Sequence, residues 1–264
     1  MAVTAQSIAA LAEWLDEALV SPEPVPDIVD KAPDLSVADA YQLQFDVMAR
    51  RVARGDRIIG YKAALTSQAM QRETGIPEPL VGTLLHSRLM DPSAVSLSGY
   101  GFLRATLEPE IAVLMGRELR GPGLSAIDAW DAVAGFFPAI ELGDYRYVDG
   151  VRTMQNSIAC NTFNGGTIIG GPLHAKHGLD LRTEGLSLWH NGVPAGSGTG
   201  VEVLGDPMES VAFIANKLGE FGRGLDQGML LMTGSITRSI ELNAGDQVAL
   251  GFTRLGSLSV RIVE

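Results

Sequence analysis

Two glutamates stand two residues apart inside an apolar run, Leu107-Glu108-Pro109-Glu110-Ile111-Ala112-Val113. In a β-strand, residues i and i+2 project from the same face, so these carboxylates lie side by side if the run is extended. Adjacent like charges repel, and burying them unpaired is costly. The pair therefore needs a cation, a shared proton or open solvent. Pro109 between them cannot donate a ladder hydrogen bond, which predicts a sheet edge or an irregularity opening toward a cleft. A third carboxylate, Glu141, ends another apolar run, Phe136-Phe137-Pro138-Ala139-Ile140-Glu141-Leu142. Three carboxylates with no histidine nearby make a hard, all-oxygen donor set that suits Mg²⁺ or Mn²⁺ best, with Ca²⁺ as an alternative. The competing reading puts Glu108 and Glu110 on the solvent face of an edge strand and makes Glu141 an ordinary strand-end charge.

Lys62 is a lone cation in an apolar stretch, between Ile58-Ile59-Gly60-Tyr61 and Ala63-Ala64-Leu65. A partly buried lysine beside a metal site can have a depressed pKa and serve as acid or base. A snorkelling surface lysine is the blander alternative. The four histidines form no convincing site, and His174 and His177 read as loop residues beside Gly170-Gly171-Pro172. Cys160 has no neighbouring base and reads as a buried structural thiol. No G-x-S-x-G elbow and no GxxxxGK[ST] loop is present.

The elements that must carry these residues follow from periodicity. Ile8, Leu11, Leu15, Ala18 and Leu19 mark one face of a first helix, and Pro22, Pro24 and Pro26 form a connector. Ser36 caps a second helix, with Asp39 in the box position and Gly55 past its end. From Arg57 to Lys62 the chain reads as a strand, and Thr66 opens a short helix that stops near Gly75. Strands are predicted from Ala105 to Leu114 and from Phe136 to Leu142, flanking a helix that starts at Ser125 and runs through Val133. Gly165-Gly166 reads as a turn between two apolar stretches. Asp206, Pro207 and Glu209 predict a helix with a capping box, Asn191-Gly192 a hairpin turn, and Gly256 the turn between two alternating strands. Helices first and then a mixed sheet make an α+β chain, with a helical subdomain over 1–56 and a mixed-sheet catalytic core over 57–264, packed as one unit.

Composition bounds the function. The chain has 264 residues, 46% of them hydrophobic, and a net charge of −11. Length and hydrophobic content support a globular core without staples. The acidic balance argues against nucleic acid and against a polybasic membrane contact. No apolar run is long enough to cross a bilayer, Met1–Gln6 lacks the features of a secretory signal, and one cysteine excludes an internal disulfide. Together these fit a cytoplasmic protein.

The motifs in order resemble a known family along nearly the whole chain. They are Gly60-Tyr61-Lys62-Ala63-Ala64-Leu65-Thr66-Ser67, Glu108-Pro109-Glu110, and Pro138-Ala139-Ile140-Glu141 followed by Asp144 and Arg146. Asn161 with Gly165-Gly166, Thr233-Gly234-Ser235, Gly245-Asp246 and Leu255-Gly256-Ser257-Leu258-Ser259-Val260 complete the set. The chain resembles the hydratase/decarboxylase branch of the fumarylacetoacetate hydrolase superfamily. That resemblance implies a mixed β-roll core and Mg²⁺ or Mn²⁺ held by Glu108, Glu110 and Glu141. It further implies catalysis by Lys62, and a substrate pocket that draws on Asn161, Phe163, Asn164 and Thr233. The implied activity is hydration of a 2-hydroxy-2,4-dienoate to a 4-hydroxy-2-oxo acid, in meta-cleavage degradation of aromatic compounds. A homo-oligomer, and a decarboxylase or hydratase partner enzyme, go with it. A 4-oxalocrotonate-type decarboxylase is one alternative, and a non-catalytic partner subunit or small-molecule binder is another. The chain departs from the family at Phe163 and Asn164, where small serines are usual. Phe163 is bulky and cannot donate a hydrogen bond, so recognition of the substrate's acid or tail group is expected to differ.

Overall fold

A computed structural model describes residues 5–147 and 153–264. Residues 1–4, within the Met1–Gln6 stretch expected to lack a secretory signal, lie outside the described residues. In chain order the helices are α1 (Ala5–Ala18), α2 (Ile28–Lys31), α3 (Val37–Ala53), α4 (Gln68–Thr74), α5 (Ala126–Ala132), α6 (Met154–Ala159) and α7 (Pro207–Gly219). The strands are β1 (Ile58–Ala64), β2 (Leu80–Leu85), β3 (Val95–Ser96), β4 (Ala105–Met115), β5 (Val133–Asp144), β6 (Asn164–Ile169) and β7 (His174–Ala175). They continue with β8 (Gly185–His190), β9 (Val193–Thr199), β10 (Leu230–Ser235), β11 (Ile240–Glu241), β12 (Gln247–Phe252) and β13 (Ser257–Val263). One sheet runs β2-β1-β10-β4-β5-β6, with β11 on β4 and β7 on β5. The second runs β3-β13-β12-β8-β9. One contiguous apolar cluster extends from Ile8 in α1 to Ile262 in β13.

Local chemistry explains most boundaries. Ser36 and Asp39 exchange both capping-box bonds, as do Ser125 and Asp128. Asn191 and Gly192 take φ of 52° and 79°, the left-handed pair a tight β8–β9 hairpin requires. Three expectations need correction at caps. The short helix after β1 is capped by Ser67, not Thr66, whose side chain is buried against Gly234. At α7, Asp206 accepts from the amide of Met208, so Pro207 occupies the first position but no box forms with Glu209. His174 is not in a loop but pairs with Phe136 in β7.

The Gly165-Gly166 expectation is also overturned. Both glycines lie inside β6, where Gly166 pairs with Leu142. A Cβ on Gly165 would stand 2.5 Å from Phe102, and one on Gly166 2.4 Å from Met90. Close side-chain approach, not a turn, demands glycine there.

The N-terminal helices are tied to the sheet by buried polar groups. Gln44 of α3 donates to the carbonyls of Val81 (3.0 Å) and Ile158 (2.8 Å), and the Tyr41 hydroxyl accepts from the Val81 amide. One helix therefore braces both β2 and the α6 segment that leads to Asn161. Asp16 of α1 bonds Arg54 (2.6 Å) and Arg51 (3.0 Å) at the end of α3. Burial pushes the Asp16 carboxyl up, but the arginine bonds outweigh it and hold the group below its ordinary 3.8. A depressed folded-state value adds stability above the unfolded value and loses it as pH falls through the folded one. Asp16→Asn is therefore expected to cost about 1 kcal/mol near pH 7, since Arg54 is half exposed. Thermal melts of the two proteins should converge as the pH falls below the ordinary carboxylate value, and a gap that stays constant through acid would contradict this account.

Candidate metal centre and active site

β4 and β5 lie antiparallel in the middle of the large sheet, with Glu108 directly opposite Glu141. Their apolar residues face packed elements on both sides, which is why both runs read as nearly unbroken hydrophobic strands. Pro109 is not at an edge. It sits in an inner strand, where β10 slips register between Met232 and Ser235 and the Ile236 amide reaches the Pro109 carbonyl. The irregularity that proline requires is thus supplied by its neighbour. Glu108, Glu110 and Glu141 each offer an oxygen within 4.8 Å of the others.

Two of the three carboxylates are buried and half-satisfied. Glu110 Oε2 accepts from the Gly234 amide at 2.7 Å, while its Oε1 has no partner. Glu141 Oε1 accepts from Lys62 Nζ (3.1 Å) and Asn164 Nδ2 (3.0 Å), while its Oε2 has none. A buried carboxylate oxygen without a donor is costly, so the fold keeps these atoms for something absent from the protein chain. A divalent cation fits: the donors are all oxygen, close together and held from behind. Burial and the charges of Glu141 and Glu108 push Glu110 well above the usual carboxylate range.

Lys62 comes from β1, two strands away from β4. In a flat sheet, β1 and β5 would stand roughly 14 Å apart. The 3.1 Å contact between Lys62 and Glu141 therefore requires a sheet that curls over the carboxylates. Lys62 is 4% exposed, not a snorkelling side chain. Burial alone would lower its pKa, but Glu141, Glu108 and Glu110 outweigh burial and raise it. The expected depression is thus reversed in the chain by itself, and Lys62 is held protonated.

Asn161, Thr162 and Phe163 are three consecutive non-glycine residues with positive φ, 54°, 49° and 61°. Such a turn is strained, at about 1–2 kcal/mol per residue. The Asn161 amide clamps it by accepting from the Thr83 amide (2.7 Å) and donating to the Thr83 carbonyl (2.9 Å). Gly82 leaves the room: a Cβ there would lie 2.3 Å from Thr162 Oγ1. The turn aims Phe163 into the main cavity and Asn164 at Glu141. Thr233 is fully buried and donates to the Ile111 carbonyl. Phe163 and Asn164 thus meet the carboxylates or the cavity, whereas the side chains of Asn161 and Thr233 are committed to backbone. Asn161→Ala is expected to lose about 2–4 kcal/mol through the freed Thr83 groups and the left-handed backbone. Denaturant unfolding checks it, and an unchanged midpoint would remove the clamp.

The sequence reading missed the aromatic wall. The rings of Tyr147 and Tyr145 lie 4.8 and 5.3 Å from that of Phe163. A signal existed: Glu141, Gly143, Tyr145 and Tyr147 share one parity, and all line the cavity. Cys160 is buried and its thiol is pushed up to about 12, which leaves no nucleophile near neutral pH.

A curled mixed sheet with helices packed on it and a carboxylate cluster at the strand centre define a metal-dependent enzyme fold. A model described as fumarylacetoacetate (FAA) hydrolase C-terminal matches residues 60–263. The chain belongs to the fumarylacetoacetate hydrolase family. It is 33% identical over 260 residues to 2-hydroxyhexa-2,4-dienoate hydratase of Comamonas testosteroni, covering 98% of each chain. Identity is also 33% over 259 residues to 4-oxalocrotonate decarboxylase of Pseudomonas putida, covering 98% of this chain and 97% of that one. The solved structure of 4-oxalocrotonate decarboxylase from Pseudomonas putida G7, complexed with magnesium and adipate, matches with a TM-score of 0.94. That match has 32% identity and covers 99% of both chains. Among the described residues no helix is long and apolar enough to cross a membrane.

Proposed function

We propose that this protein is a divalent-metal-dependent hydratase that adds water to a 2-hydroxy-2,4-dienoate, giving a 4-hydroxy-2-oxo acid, in meta-cleavage degradation of aromatic compounds. The observation that carries the reading is the pair of buried glutamates, each with one oxygen fixed by protein and one orphaned, beside Lys62. Glu108, Glu110 and Glu141 would hold Mg²⁺ or Mn²⁺, a Lewis acid for the carboxylate and 2-oxo oxygens of such a substrate and a sink for enolate charge. Every other role falls to side chains. Lys62 carries a proton, oriented by Glu141, and is the group to protonate C5 as the dienol becomes a 2-oxo acid. Asn164 shares the same Glu141 oxygen and fixes that carboxylate's rotation. Phe163, Tyr145 and Tyr147 wall the cavity and hold the chain of the substrate in plane. Asn161 and Thr233 act as positioning residues through Thr83 and Ile111. In the net reaction the enol proton leaves, C5 and C3 each gain hydrogen and C4 gains hydroxyl, which sums to one water.

A 4-oxalocrotonate-type decarboxylase is the second reading, favoured by the near-superposition with the Pseudomonas putida G7 enzyme. One ultraviolet assay tests both. 2-Hydroxypenta-2,4-dienoate is incubated with and without Mg²⁺ or Mn²⁺, and products are identified by mass. Metal-dependent loss of the dienol with a gain of one water supports the hydratase. CO₂ release from 4-oxalocrotonate, with no hydration, supports the decarboxylase. No turnover of either, with ligand binding independent of metal, supports a non-catalytic binder.

A homo-oligomer in the cytoplasm, alongside a decarboxylase or hydratase partner, fits the free buried Cys160 and the exposed Ile127, Trp189 and Val193. Light scattering of the purified protein measures the oligomer.

A further inference from the structure

We infer that the cavity beyond the three glutamates takes a neutral, ring-sized apolar tail, which makes the substrate a 2-hydroxy-2,4-dienoate carrying an aryl or similarly bulky group at C5 rather than a second carboxylate. This inference rests on the hydratase reading and names its substrate class. Size is the first observation. The cavity holds about 1160 Å³, above the roughly 300–1,000 Å³ typical of pockets for drug-sized ligands. It opens to solvent and leaves room beside a five-carbon acid for a bulkier tail.

The wall is the second observation. Phe163 turns into the cavity and joins Tyr145 and Tyr147, whose own rings lie 6.1 Å apart. Phe102 extends the wall, closing so tightly on Gly165 that a Cβ would meet its ring at 2.5 Å. Leu80 and Ile236 line the same space. Aromatic faces at this spacing favour an edge or face of another ring.

Charge is the third. Among the described lining residues the cations are Lys62, Arg104 and Arg238. Lys62 is bound to Glu141. Arg104 donates Nε to the Tyr145 carbonyl (3.0 Å) and Nη2 to the Tyr147 carbonyl (3.1 Å), and its guanidinium lies over the Tyr147 ring. Arg238 is exposed at the mouth, with Glu73, Glu202 and Glu241 lining the same cavity. A tail carboxylate would meet the aromatic part of the wall without a buried cation of its own; Arg238 and the three acidic lining residues are all exposed and screened by solvent.

The test uses the Mg²⁺-loaded protein. The kcat/KM is measured for 2-hydroxypenta-2,4-dienoate, its 5-phenyl derivative and the dicarboxylate 2-hydroxyhexa-2,4-dienedioate. The phenyl substrate is expected to exceed the short one by about 10-fold or more, and the dicarboxylate to fall below both. Phe163→Ser should bring the phenyl-to-short ratio toward one, and Phe163→Leu, which conserves apolar volume, should lower it less. A separate calorimetric arm compares binding of the unreactive acids 4-phenyl-2-oxobutanoate, 2-oxobutanoate and 2-oxoadipate. Tighter binding of the phenyl acid is expected, with loss of that preference in Phe163→Ser. Preference for either dicarboxylate, or a phenyl-to-short ratio that Phe163→Ser leaves unchanged, overturns the inference. Hydration of the short dienoate without a phenyl advantage sinks the inference alone. Absence of all dienoate turnover sinks the hydratase reading, and the binding arm still decides the tail.

Discussion

Glu141→Ala is expected to weaken Mg²⁺ or Mn²⁺ binding by at least about 100-fold and to abolish metal-dependent turnover. Three consequences converge on this one carboxylate. Its Oε2 is a buried oxygen with no protein donor, which makes it a ligand in waiting. Its Oε1 anchors Lys62 and Asn164, so both lose their direction when it goes. It also stands opposite Glu108 in the β4–β5 register, so its loss opens the cluster at its centre. Mn²⁺ titration by calorimetry, with circular dichroism as a check on folding, reads the effect. Wild-type affinity in a folded variant would remove the glutamates from metal binding. The sign of the pH effect follows as well. Glu110 is raised well above the ordinary carboxylate value by burial, Glu141 and Glu108, so a proton competes with the cation for this site. In the wild-type protein, metal affinity should fall as the pH is lowered, because protonation of Glu110 begins above the ordinary carboxylate range.

Lys62→Ala is expected to lower kcat by about 10²–10⁴-fold, the usual contribution of a positioned acid or base. Metal binding should persist or tighten, because the variant removes the cation paired with Glu141. Lys62→Arg should not restore turnover: guanidinium holds its proton, and the planar head does not fit a site where the lysine is 4% exposed. The split between preserved metal affinity and lost kcat separates a proton carrier from a structural ion pair. If both fall together, Lys62 serves only to hold Glu141. The raised pKa of the lysine without metal is consistent with this division, since three carboxylates face it until a cation neutralises them.

Features of short range were readable in the chain. The two carboxylates at i and i+2 in an apolar run could share a face only as a strand, and β4 realises that arrangement. The capping boxes at Ser36 and Ser125 and the Asn191-Gly192 turn were legible because each involves residues at most three positions apart. Features of long range were not. Gly165-Gly166 read as a turn because nothing local reveals that Phe102 and Met90 press on them. Pro109 predicted an edge or an irregularity, and only the fold chose between them, because the compensating slip is in β10, far along the chain. Asn161 and Thr233 were expected at the substrate because their motifs mark the site, but their side chains bond Thr83 and Ile111.

By itself, then, the amino-acid sequence determined the donor chemistry: three glutamates and a lysine, each set in a hydrophobic stretch that could fold only by burying most of its neighbours. Tertiary structure decided what those groups became. Sheet order and curl bring Lys62 from β1 onto Glu141 of β5, and that contact reverses the lysine pKa expected from burial alone. A strained turn clamped by Asn161 makes Phe163 part of a cavity wall. The physical reason is the same throughout. Strand pairing, charge coupling and ring stacking act between residues distant in sequence, and their energies depend on distances that only the folded chain sets.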